Sequence, residues 1–281
     1  ESGGAGGAGG ATCGGAFTTM CHHRPVPFFR RHRAELAPDW EAIVSARVAH
    51  WRQLDADEQL RLAELLDEFV TTRRWEAAHG FELTDEIRTV IGALAALLVL
   101  GRAEGIDAYQ DVSTVIVHPR TMRRHQIEAG EVHGTLTEGD IDLLGEAHHR
   151  GPVLIAWDAA RRDARHPERG RNVVLHELAH KLDMLDLLVD GTPPLPDAVA
   201  HHRWVEVCTR EFELLRAGQG GHLLDPYGAT DVGEFFAVAT EAFFCLPGEL
   251  AHHKPDLYGV LRDFYGQDPA HRPHHRQHPW S

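Results

Sequence analysis

NVVLHELAHKLD, residues 172–183, decides how this chain is read. An α-helix turns about 100° per residue, so residues four apart stand nearly above one another. On that wheel His176, His180 and Asp183 share one face, Glu177 lies on its flank, and Leu175, Leu178, Leu182 and Leu185 take the opposite side. Asn172 is a suitable N-cap. Two neutral imidazoles one turn apart can hold a zinc ion, and the intervening glutamate can take a proton from an attacking water. Asp183, three residues past His180, is expected to orient a ligand imidazole. A chain with 22 histidines will hold some pairs at this spacing by coincidence. Coincidence does not supply the neighbouring glutamate, the cap and the apolar back together.

A catalytic zinc needs a third protein ligand and an open position. DPYGATDVGEFFAVATEAFF (225–244) is the candidate source. Asp231 can cap a helix there, and Phe235, Phe236, Ala239 and Phe243 turn toward a core. Glu234 and Glu241 are two turns apart and so share a face. Spacing alone leaves both open as the third ligand.

The remainder of the chain bounds the reading. Its 281 residues can bury a full core, and 43% hydrophobic with 25% charged residues is globular composition. The net charge of −14 argues against a phosphate backbone as partner, so no nucleic acid is expected. Cys13, Cys21, Cys208 and Cys245 form no C-x-x-C pair and suggest no disulfide framework, which fits a reducing, cytoplasmic setting. VIGALAALLVL (90–100) is too short to span a bilayer, which takes ~20 residues, so no membrane partner is expected. The sequence starts at Glu1 without a methionine, and an upstream segment could have been removed.

Three regions follow from composition. Residues 1–35 open on a flexible glycine-rich tail, 36–268 form the folded domain, and 269–281 make a tail rich in histidine and proline. Cys21-His22-His23 reads as part of the first tail. Asp55 and Glu58 form a capping box for a helix to about Thr72, and Thr84 caps a second, buried one. Strands are expected at 113–119, near 134–138 and at 151–158, with helices again from Asn172. This order points to α+β architecture rather than repeated βαβ units.

HELAHKLDMLD followed by DPYGATDVGEFFAVATEAFF resembles the Mlc titration factor A family of zinc-dependent peptidases. The likeness runs from around Glu64 to about Tyr265 and includes GFEL (80–83), VIVHP (115–119), GPVLIAWD (151–158) and FYGQDP (264–269). YGATDVGEFFA (227–237) is also similar to the catalytic domain of anthrax lethal factor. The resemblance implies an α+β, zincin-like metallopeptidase fold, mostly helical with a small mixed sheet. It implies one Zn2+ per chain, held by His176, His180 and Glu234, with Glu177 as general base and Tyr227 as hydrogen-bond donor to the oxyanion. The expected partner is a peptide or protein substrate, with aminopeptidase action as one form. The strand GPVLIAWD is a candidate edge for pairing with an extended peptide, or else an ordinary core strand. The alternative reading is a binding protein that sequesters an Mlc-like transcriptional repressor of sugar uptake, with little or no turnover.

Overall fold

The computed structural model describes residues 34–120, 151–186 and 191–272. The expected strand near 134–138, the Cys21-His22-His23 cluster, the glycine-rich start and residues 273–281 lie outside them. The described residues are mainly helical: α1 (Trp40–Arg47), α2 (Ala56–Thr72), α3 (Asp85–Leu98), α4 (Trp157–Arg165), α5 (Val173–Asp183), α6 (Ala198–Arg216), α7 (Val232–Cys245), α8 (Pro247–His253) and α9 (Pro255–Tyr265). None is long and apolar enough to cross a membrane.

Helix starts follow the sequence closely. Asp55 and Glu58 form the reciprocal capping box of α2, satisfying two backbone donors that a helix end would otherwise leave orphaned. Thr84 caps α3 through the Ile87 amide. Helix α3 is buried along almost its whole length and packs on α1, α2, α4 and α5, so it forms the centre of the core.

Three short strands, β1 (Arg74–Ala77), β2 (Thr114–His118) and β3 (Val153–Ala156), form a sheet in that order. Both pairings are parallel, with Trp75 opposite Val115 and Val115 opposite Val153. The described sheet is therefore parallel rather than mixed, and α3 lies in the crossover between β1 and β2. Val115, Val117, Val153 and Ile155 are fully or nearly fully buried on one face. The third strand stops at Ala156, two residues before the expected end, because Trp157 and Asp158 already begin α4.

Helix α7 is fixed from behind by rings. Phe236, Trp204 and Phe264 meet edge to face at centroid separations of 5.5–5.8 Å. Phe243 stacks on Tyr265, and the buried Thr240 and Tyr265 hydroxyls lie 2.7 Å apart. Burying each such ring contributes about 1.5–3 kcal/mol, so the helix cannot rotate without large loss. The described residues run through Arg272, whose buried guanidinium grips Glu58 and Gln267.

Gly101 beyond α3 crosses the backbone at Gly266, the end of α9, at very close range. A Cβ on Gly101 would lie 2.2 Å from the Gly266 carbonyl oxygen. Gly266 has φ +60°, the left-handed conformation that ends a helix. Gly101→Ala should therefore cost about 2 kcal/mol or more, seen as a lower urea midpoint with an unchanged slope. An unchanged midpoint would show that this crossing relaxes freely.

Candidate metal centre

Helix α5 begins with each of its first four backbone amides satisfied. The Asn172 side chain accepts from Val174 and Leu175 (3.1 and 3.2 Å). Glu241 Oε1 accepts from the Asn172 amide at 2.8 Å, and Asp163 Oδ2 accepts from the Val173 amide at 3.3 Å. Thus carboxylates from α7 and α4 hold the start of α5. Its far end is anchored by the fully buried Asp183, whose Oδ2 accepts from the Gly191 amide, while the Gly191 carbonyl accepts from Trp204 Nε1.

With its ends fixed, α5 turns Val174, Leu175, Leu178, Ala179 and Leu182 into the core and presents His176 and His180 to α7. Helix α7 starts at Asp231, which accepts from the Glu234 amide at 2.9 Å. That cap sets Glu234 in the first turn, facing the histidines. Glu234 Oε2 lies 3.0 Å from His176 Nε2 and 3.4 Å from His180 Nε2, and the two imidazole nitrogens are 3.3 Å apart. The three side chains are 14, 18 and 12% exposed, so each is mostly but not wholly buried. Among the described residues this is the group of His, Cys, Asp or Glu side chains arranged so that it could hold a metal ion.

The electrostatics agree. Burial alone would lower the His176 imidazole, but the Glu234 and Glu241 carboxylates outweigh it and push its pKa up to about 10. Burial would raise Glu234, yet hydrogen bonds from His176 and His180 hold it well below the usual carboxylate range. The cluster demands positive charge, which a proton or a metal ion can supply.

The remaining expected residues fall around this group. Glu177 follows His176 on α5 and is half-buried. Tyr227 sits on a short turn capped by Asp225, which also pairs with Arg171, next to the α5 cap. Its hydroxyl donates to Glu234 Oε1 at 2.9 Å. Asp183 was the expected partner of a ligand imidazole. The carboxylate found at His176 Nδ1 is Glu241, with Oε2 at 3.5 Å, while Asp183 anchors Gly191. The i, i+7 spacing of Glu234 and Glu241 was the available signal. Asp163 was missed because α4 buries alanines rather than a legible apolar stripe.

A family profile described as glucose-regulated metallo-peptidase M90 matches residues 24–266. The chain belongs to that family. An uncharacterized protein of Synechocystis sp. is 34% identical over 238 residues, covering 83% of this chain and 86% of its own. Proteins named Mlc titration factor A from Pectobacterium atrosepticum and Escherichia fergusonii are each 31% identical, over 83% of this chain and 87% of theirs. The sequence resemblance to the Mlc titration factor A family therefore holds across most of the M90 domain.

Removing the α7 member of the group should empty it. After dialysis, metal analysis of the purified protein should find about one ion per chain, and Glu234→Ala should retain under about a tenth of that. Equal retention by the variant would place the ion elsewhere.

Proposed function

We propose that this chain is a zinc-dependent peptidase whose metal ligands are His176, His180 and Glu234. The observation that carries this reading is the set of three donor separations. Four-coordinate zinc with bonds of about 2.0–2.1 Å has ligand atoms about 3.3 Å apart. The measured values of 3.0, 3.3 and 3.4 Å fit that figure. The donor set, two imidazoles and one carboxylate, matches hydrolytic zinc and leaves a coordination position for water or substrate.

When bound, zinc would polarise a peptide carbonyl and acidify a coordinated water. Glu177 stands on the same helix, next to His176 and outside the ligand set, so its carboxylate can accept a proton from the attacking water. It then returns that proton to the leaving amine. Tyr227 shares this space, and its hydroxyl can turn from Glu234 to donate to the oxygen on which negative charge develops. One such donor typically contributes ~3 kcal/mol to barrier lowering. The third strand pairs with β2 and lies at one side of the described sheet, consistent with addition of an extended peptide along its other edge. Aminopeptidase action on short peptides in the cytoplasm is the form of this activity we favour.

A second reading has one specific support: relatives of this chain carry the name Mlc titration factor A. The same surface could bind an Mlc-like transcriptional repressor, with the zinc site covered or opened by that partner.

The test is Glu177→Gln, which keeps size and shape but cannot take up the proton. This variant should fold and hold zinc normally while cleaving a chromogenic amino-acid anilide and a peptide pool ~100-fold more slowly or worse. Tyr227→Phe should lose less, because the metal still polarises the carbonyl. Equal cleavage by wild type and Glu177→Gln would rule out the mechanism. Repressor binding by wild type and both variants, with no cleavage by any of them, would leave the second reading.

A further inference from the structure

The His176 ring lies between two carboxylates of one helix. Glu234 Oε2 stands 3.0 Å from Nε2, and Glu241 Oε2 stands 3.5 Å from Nδ1. The two glutamates are seven residues apart, two turns of α7, so the same aromatic packing that locks the helix sets both distances. Glu241 is buried, and its other oxygen holds the Asn172 amide at 2.8 Å. One carboxylate therefore joins the first backbone amide of the ligand helix to the outer nitrogen of its first histidine.

We propose that Glu241 is a positioning residue for the metal centre, fixing the His176 proton on Nδ1 and leaving Nε2 as the lone pair that faces the metal. This rests on the ligand set given under the proposed function. A neutral imidazole carries its proton on one nitrogen, and the acceptor at the other end of the ring decides which. A buried carboxylate accepts but does not donate, so once Nε2 is given to a metal the remaining proton is held on Nδ1, facing Glu241. At 3.5 Å this is a charge contact longer than a well-formed hydrogen bond, so it orients the ring electrostatically, and Glu234 restrains the ring from its other side. A carboxylate at the far nitrogen of a ligand histidine typically strengthens metal binding 10–100-fold by orienting the ring and raising its basicity.

The rival explanation is that Glu241 only clamps the start of α5. Asp163 supplies the control, since it accepts from the next amide, Val173, and the contacts recorded for it run to Val173 and Arg162 rather than to His176. Zinc affinity should be measured by competition with a chromophoric chelator, alongside the melting temperature of each metal-free protein. Glu241→Gln can still accept from Asn172 through its carbonyl, but it places an NH2 donor against the Nδ1–H. It should bind one zinc ~10–100-fold more weakly. Asp163→Ala should melt lower yet bind zinc within about threefold of wild type, since its contact lies outside the ligand shell. If both variants lose affinity in proportion to their stability, or if folded Glu241→Gln binds like wild type, the positioning role is wrong. Wild type that takes up no zinc would overturn the ligand set itself, a separate outcome. If Glu241→Gln does not fold, histidine-15N spectra of the zinc-loaded wild type decide. The His176 Nδ1 proton should be present and protected from exchange, and a rapidly exchanging proton would overturn the proposal.

Discussion

The crossing of α5 and α7 is the constraint on which the site depends. Each helix alone offers ordinary residues: a pair of histidines on one and two acids on the other. Brought face to face, they place Glu234 against both imidazoles and Glu241 against the start of α5. Neither helix can slide along the other without breaking a buried carboxylate contact. Leaving such a group unsatisfied costs on the order of 1–3 kcal/mol or more. The apolar core supplies the opposing wall, with the leucine face of α5 against α3 and the phenylalanines of α7 against Trp204, Phe264 and Tyr265.

Polarity at the crossing is therefore structural and chemical at once. Three buried or nearly buried acids, Asp163, Asp183 and Glu241, tie the ends of α5 to other parts of the chain, through Val173, Gly191 and Asn172. These ties hold the helix in place, and Glu234 and Glu241 then set the imidazoles themselves. That positioning is what metal binding and proton transfer need, and what a loop-borne pair of histidines would lack.

Much of this was legible in the sequence because the signals were local. The capping box at Asp55, the Asn172 and Asp231 caps and the apolar stripes of α2, α3, α5 and α7 depend on residues within one turn of each other. The strands at 114–118 and 153–156 were legible through their β-branched residues, though not their parallel pairing. Other features were hidden for physical reasons. The first strand, RWEA, is short and half-exposed, so it shows no alternation. Helix α4 buries mostly alanines and an aspartate, which carry little periodic signal. The Glu241–His176 contact joins residues 65 positions apart, and spacing on one helix could name Glu241 as a candidate without assigning its partner. Asp183 shares the right helical face, and the contact described for its carboxylate is with the Gly191 backbone amide.

The central claim is a location, so the most direct measurement is anomalous diffraction at the zinc edge on crystals of the zinc-loaded protein. The account predicts one strong peak among His176 Nε2, His180 Nε2 and Glu234 Oε2, about 2.0–2.2 Å from each. A peak bound elsewhere on the chain, or no peak from protein that carries stoichiometric zinc in solution, would contradict it.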